Sequence, residues 1–309
     1  MMQIYLPIAE LSVDVFVLLI LGWFVGFISG ISGIGASFLM TPTLIFLGIP
    51  SPVAVASQAN QVVATSISGT LAQWSRGNID FKMGGILLLG GLAGSSFGVW
   101  LFGFLARIGQ GDLVVAISYI MCLGWIGLLM LWESLRSVFK KLQASAKVKI
   151  PFYQRAWVQG LPFKRNFPRS NLYISLWLPI VIGFGVGVLS AIMGVGGSFL
   201  LVPAMIYLLG MPVTVVVGTS LFQMVFVTAN VTLQQAIQNN SVDILLALIL
   251  MISGVAGTQW GTKMSGRVRG EYVRFVFALL MLGVCVGLIN EFLVEPSSVY
   301  SIRTVGELR

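Results

Sequence analysis

The chain reads as an all-α polytopic membrane protein. Its expected plan is two inverted-topology repeats of about five helical segments each, with broken or short helices after glycine-rich turns. Three observations predict this. Apolar residues make up 57% of the 309 and charged residues only 9%, where a soluble domain carries about a quarter charged. The stretch "GIGASFLMTP" at 33–42 returns as "GVGGSFLLVP" at 194–203. Basic residues fall in the loops of the two halves in an alternating pattern that a parallel duplication does not produce.

The apolar segments are 13–31, 37–49, 52–74, 83–106, 112–132, 172–193, 199–209, 212–237, 242–262 and 272–294. Most reach the ~20 residues that a membrane-crossing helix requires. Segments 37–49 and 199–209 do not, and each directly follows a glycine turn. No signal peptide is expected, because Glu10 and Asp14 precede the first apolar stretch in place of a basic region. The two cysteines, Cys122 and Cys285, lie inside apolar segments and read as small core residues.

The halves align along their length. Gly33, Gly35, Ser37 and Pro42 match Gly194, Gly196, Ser198 and Pro203 at an offset of 161. Pro50 and Gln61 match Pro212 and Gln223 at 162, and Asp80, Gly91, Gly94, Gly98 and Cys122 match Asp243, Gly254, Gly257, Gly261 and Cys285 at 163. This predicts a first transmembrane repeat over 1–132, a basic cytoplasmic linker over 133–171, a second repeat over 172–294 and a C-terminal tail over 295–309.

Net charge is +8, and nine of the 18 Lys and Arg lie between Arg136 and Arg169. Such a loop is read as cytoplasmic, with contact to anionic membrane lipids as an addition. No nucleic-acid recognition motif accompanies it. With the linker inside, an odd number of crossings per half puts Arg76 and Lys82 inside. It also puts Lys263, Arg267, Arg269 and Arg274 inside, and leaves the poorly basic counterpart loops outside. Both termini are then outside. Segments 13–31 and 37–49 can be two crossings or a re-entrant hairpin without changing this parity.

The glycine turns carry the expected chemistry. A helix start leaves about four N–H groups unpaired, and non-helical backbone inside a membrane needs protein or a wet cavity around it. Gly33, Gly35, Gly194, Gly196 and Gly197, with Ala36 between the first pair and Ser37, would let the chain break and a solute approach bare amides. Ser37 and Ser198 would add hydroxyls. The bland alternative is tight turning and close packing alone. The following helices are unusually polar: Ser57, Gln61 and Ser68 share one face, and Thr219, Gln223 and Asn230 are their counterparts. They are expected to offer neutral donors near the midplane, or else to bind helix to helix. Gln58, Asn60, Thr65, Ser66, Ser220 and Thr228 lie nearby with less consistent facing. Gly90, Gly94 and Gly98, Gly257 and Gly261, and Gly183, Gly185 and Gly187 read as packing positions.

Other chemistries are excluded. No Lys-Ser or Lys-Thr follows the glycines, so these are not nucleotide loops. The chain has no histidine, which removes zinc protease chemistry and the base that a serine nucleophile at Ser32 would need. No enzyme, cofactor or metal is expected.

The paired turn-plus-proline motif, "SQANQVVATSISGTLAQWSRGNIDF" and its echo "GTSLFQMVFVTANVTLQQAIQNNSVDI" resemble the sulfite exporter TauE/SafE family of membrane permeases, over about residues 13–293. The resemblance implies export of a small inorganic or organic sulfur-containing anion, sulfite or an organosulfonate, across a bacterial inner membrane. Family members often have a Gly where Ala36 stands, and a His late in the first polar helix, where this chain has Gln73 and Trp74. Two further readings stay open: an uptake permease for another small organic anion, and a non-transporting membrane scaffold or sensor. Oligomeric state is open as well.

Overall fold

The computed structural model describes residues 3–32, 35–140, 164–167, 172–239, 241–264 and 270–293. Gly33, most of the linker and the C-terminal tail lie outside the described residues. The expected helical protein is there, with two additions. A hairpin of β1 (Gln3–Leu6) and β2 (Leu11–Asp14) precedes the first helix. A second hairpin, β3 (Lys164–Phe167) with β4 (Leu172–Ser175), stands 161 residues later. Their registers agree at that same offset, Gln3 opposite Asp14 and Lys164 opposite Ser175. The duplication therefore extends upstream of the helices. Four-residue strands are too short to announce themselves by alternation.

The first half runs α1 (Val15–Ser32), a 3₁₀ turn (Ser37–Leu39), α2 (Met40–Phe46), α3 (Ser51–Ser75), α4 (Phe81–Arg107) and α5 (Gly111–Lys140). The second runs α6 (Trp177–Met193), α7 (Ser198–Ala204) with a π-turn (Met205–Leu209), α8 (Val213–Gln234) with a π-turn (Gln235–Asn239), α9 (Ile244–Met264) and α10 (Gly270–Leu293). Helix α5 continues to Lys140, into the span read as linker, and β3 begins inside its other end. Among the described residues, four helical stretches are long and apolar enough to cross a membrane: 81–107, 113–132, 214–239 and 244–264. Helix α3, with 25 residues, is not among them, because Ser, Gln, Asn and Thr dilute its hydropathy.

Helix starts follow local chemistry. Pro50 and Pro212 precede α3 and α8 in extended conformation, positions where a missing N–H costs nothing. Asp80 caps α4 by accepting from the N–H groups of Lys82 and Met83, and Asp243 caps α9 through Leu245 and Leu246. Each cap is tied to the opposite half. The Asp80 N–H donates to Thr219 Oγ1 at 3.0 Å and the Asp243 N–H to Ser57 Oγ at 3.1 Å. The turn of the first hairpin joins in, with the Ile8 N–H donating to Asp243 Oδ2 at 3.1 Å.

The halves interlock by exchange. Helix α1 packs on α9, and its counterpart α6 packs on α4. Both seams are glycine-lined and parallel. A Cβ at Gly26 would collide with the Gly254 carbonyl, and one at Gly30 with Thr258. In the other seam, a Cβ at Gly90 would strike the Ile180 carbonyl and one at Gly94 that of Phe184. Gly183 and Gly187 meet the carbonyls of Leu87 and Gly91, whereas Gly185 faces open space and does not serve the packing expected of it. Helices α3 and α8 cross antiparallel, with Gly69 against Leu221 and Ala59 clustered with Val231. Helices α5 and α10 are antiparallel too, with Gly124 facing Cys285 and Gly127 facing Leu282. Trp23, Trp74 and Trp132 are exposed, as lipid-facing indoles are.

These seams predict a contrast. Gly94→Val should lower stability by about 1–3 kcal/mol or more, as overpacking does, while Gly185→Ala should cause no loss. Thermal unfolding midpoints in detergent check both.

Candidate solute site

The two glycine turns meet. Phe38 and its counterpart Phe199 are fully buried, with ring centroids 5.7 Å apart. Ser37 Oγ donates to the Val195 carbonyl at 2.7 Å, and a Cβ at Gly35 would collide with Ser198 Oγ. Gly35 has φ +82°, and Gly194, which ends α6, and Gly197, which precedes α7, both have φ +70°. A side chain is strained in that left-handed region, so glycine is the residue that lets each helix stop and restart within a few residues.

The broken ends expose carbonyls as well as amides. The Met193 carbonyl, last in α6, accepts from Tyr119 Oη at 2.9 Å and Thr41 Oγ1 at 3.3 Å. The Ser37 carbonyl accepts from Gln58 Nε2, whose Oε1 in turn accepts from Thr41. The Gly197 carbonyl accepts from the N–H groups of Leu200 and Leu201. By contrast, among the described residues the N–H groups of Gly35, Ala36, Val195, Gly196 and Gly197 have no acceptor. All five residues are buried. Some acceptors at the breaks are covered, those of Gly35, Ala191, Ile192, Gly194 and Gly196 have no donor among the described residues, and the five bare amides are groups that a negatively charged solute could satisfy.

A cavity lies beside the turns. It is bounded by Gly35, Ser37 and Ser198, by Ser29 and Gly30 of α1, by Val62, Thr65, Ser66, Gly69 and Gln73 of α3, by Leu221 of α8, and by Thr258 and Thr262 of α9. Its volume is about 30 Å³, space for roughly two or three waters. Among the described residues no charged side chain lines it; hydroxyls and one carboxamide do. Ser198 Oγ has no hydrogen-bond partner among the described residues, although Ser198 is only 3% exposed.

Of the residues singled out from sequence, Gly35, Ser37 and Ser198 border this cavity. Ala36 is wholly buried between them, and Gly194 and Gly196 pack against Val55 and Val62. Gly197 packs against Val186 and Ser190. The polar stripe lies elsewhere. Ser57 and Thr219 hold the starts of α9 and α4, as described. Gln61 presses on Gly254 with neither amide atom partnered. Its counterpart Gln223 presses on Gly91 and donates to the Leu87 carbonyl at 3.2 Å. Asn230 donates to Ser95 Oγ at 2.9 Å and Ser96 Oγ at 3.1 Å, and Ser68 is half-buried off the cavity. The α3 face that does line the cavity is 62, 65, 66, 69 and 73, turned roughly a residue's 100° from the 57–61–68 face. Its signal was legible as small and polar residues recurring at three, four and seven.

The model of the sulfite exporter TauE/SafE family matches residues 18–288. The chain belongs to that family. Its helices, breaks and cavity all lie within the matched span apart from the outer ends. Relatives include the probable membrane transporter protein YjnA of Bacillus subtilis (strain 168), 26% identical over 269 residues, covering 86% of this chain and 96% of that one. The probable membrane transporter protein YunE of the same strain is 25% identical over 287 residues, covering 89% and 97%. A probable membrane transporter protein of Xylella fastidiosa (strain 9a5c) is 26% identical over 269 residues, covering 86% and 91%. No solved structure matches the chain. This TauE/SafE chain is therefore a polytopic membrane transporter. Gln73, in the stretch where family members often carry a His, lines the cavity.

Stability should separate the two serines of the TauE/SafE turns. Ser37→Ala strands the buried Val195 carbonyl and should cost about 1–3 kcal/mol, whereas Ser198→Ala breaks no bond and should stay within about 0.5 kcal/mol. Denaturation in detergent checks this difference.

Proposed function

We propose that the chain exports a small sulfur-containing oxyanion, sulfite or an organosulfonate, across the bacterial cytoplasmic membrane, and that the cavity at the paired turns is where the anion sits. The observation that carries this reading is at the helix breaks: five buried amides with no acceptor among the described residues, beside a small cavity lined by neutral hydroxyls. Oriented amides with no fixed cation suit transport, because a solute must bind well enough to enter and weakly enough to leave. The cavity is on the scale of a small oxyanion and far smaller than the ~300–1,000 Å³ of a typical pocket for drug-sized ligands. Membership of a family described as a sulfite exporter supports the sulfur chemistry.

The topology fits export. The antiparallel crossings of counterpart helices α3 with α8 and α5 with α10 support inverted repeats. The cavity runs toward the C-terminal ends of α3 and α9, where Arg76 and Lys263 stand. The positive-inside rule puts those ends, and linker 133–171, in the cytoplasm and both termini outside. An inside-negative potential then drives the anion outward by ~2.3 kcal/mol per charge per 100 mV, without a proton.

Two measurements test the proposal. Sulfite at about a hundred times its Kd should stabilise the purified protein by roughly 2.7 kcal/mol, and Ser198→Ala should weaken that binding about tenfold through one lost charge-assisted bond. In proteoliposomes, sulfite efflux should follow the membrane potential. Efflux that persists at zero potential and tracks a pH gradient overturns the uncoupled mechanism.

A further inference from the structure

The cavity has a counterpart, and the counterpart is filled. The repeat offsets carry Gly30 to Ala191, Gly69 to Val231, Thr262 to Val99 and Leu221 to Ala59. These four positions are not scattered. Ala59, Val99, Ala191 and Val231 form a separate buried apolar cluster, each 0–1% exposed. Cavity and cluster occupy opposite ends of the crossed α3–α8 pair. Leu221 and Val231 are ten residues apart on α8, as are Ala59 and Gly69 on α3, which is about 15 Å of helix. The turn at Gly196 lies between, against Val62 and Thr228.

Part of the polar lining of the cavity is nevertheless repeated around the cluster. Ser29 corresponds to Ser190, Ser66 to Thr228 and Gln73 to Gln235. All three counterparts are at most 1% exposed. Ser190 Oγ and Gln235 Nε2 have no hydrogen-bond partner among the described residues. A core meant only to be dry does not retain bare polar atoms, since each one left unpaired costs stability.

Resting on the permeation reading above, we propose that Ser190, Thr228 and Gln235 form a second, closed half of the solute path, and that Ala59, Val99, Ala191 and Val231 are the plug that seals it. The anion loads in the open cavity beside Ser198. When the plug parts, the anion passes the paired turns and is received by the three polar groups, of which Ser190 Oγ and Gln235 Nε2 gain the partners they lack here, while Thr228 Oγ1 donates to the Met224 carbonyl at 2.7 Å in the closed state. The plug excludes water while closed, as apolar constrictions do. The structure is thus the loading state, with the release side shut.

The test uses the full chain with Cys122→Ser and Cys285→Ser, reconstituted in vesicles and probed with a membrane-impermeant methanethiosulfonate from each face. Thr262→Cys should label from one face and Ala191→Cys from the other, at least tenfold more slowly. Adding Val231→Ser should speed labelling of Ala191→Cys about tenfold. Labelling of both cysteines from the same face, or an Ala191→Cys that stays inert even with Val231→Ser, overturns the proposal. A functional arm uses Val231→Trp, which should abolish sulfite efflux yet keep the stabilisation by sulfite. Loss of both, with Val231→Ser unaltered in efflux, makes the cluster ordinary core and overturns the proposal. Opposite-face labelling in a protein that moves no sulfite leaves the two-sided path standing and removes only the identity of the anion.

Discussion

Five buried backbone N–H groups without acceptors among the described residues are tolerable inside a membrane only if protein surrounds them, and the rest of the architecture follows from supplying that enclosure. Lipid offers an amide nothing. The breaks at Gly35 and at Gly194–Gly197 are placed against one another, walled by Phe38 and Phe199, and roofed by α3 and α8. The Met193 and Val195 carbonyls are covered by Tyr119, Thr41 and Ser37. What remains is a group of buried amides without acceptors, beside a cavity that no charged side chain lines among the described residues.

Much of this was legible in the sequence because duplication doubles each signal. The repeated turns located both breaks, and the two short segments after them became the short helices α2 and α7. The glycines at 90, 94, 98, 257 and 261 read correctly as seams, since only a missing Cβ lets one backbone rest on another. The polar face of α3 was harder. Ser57, Gln61 and Ser68 made a matched stripe with α8, and a matched stripe is what interhelix ties also look like: Ser57 and Thr219 hold the starts of opposite helices. The cavity face, Thr65, Ser66, Gly69 and Gln73, has no full match, because Val227, Thr228, Val231 and Gln235 stand opposite it. Looking for agreement between halves selected scaffold, whereas the cavity lies where the halves disagree. The hairpins escaped notice because four residues carry too little periodicity.

Divergence between the copies is therefore informative in its own right. The turn-covering network of Thr41, Gln58 and Tyr119 has Val202, Ser220 and Leu282 at the corresponding places, so the second half cannot build it. Side chains of the first half fasten both breaks, on the Ser37 carbonyl of one and the Met193 and Val195 carbonyls of the other, and among the described residues the second half supplies no such side chains. A duplicated scaffold with unequal fastening gives each copy a different stiffness, which two identical copies could not have.

The parallel glycine seams carry one more consequence. Because α1 lies against α9 and α6 against α4 with no room for a methyl between backbones, neither pair can slide or separate without losing contact along its whole length. The mechanical units are hence hybrids, each welded from one helix of either copy, and the boundary along which the protein can flex cuts across the gene duplication instead of following it.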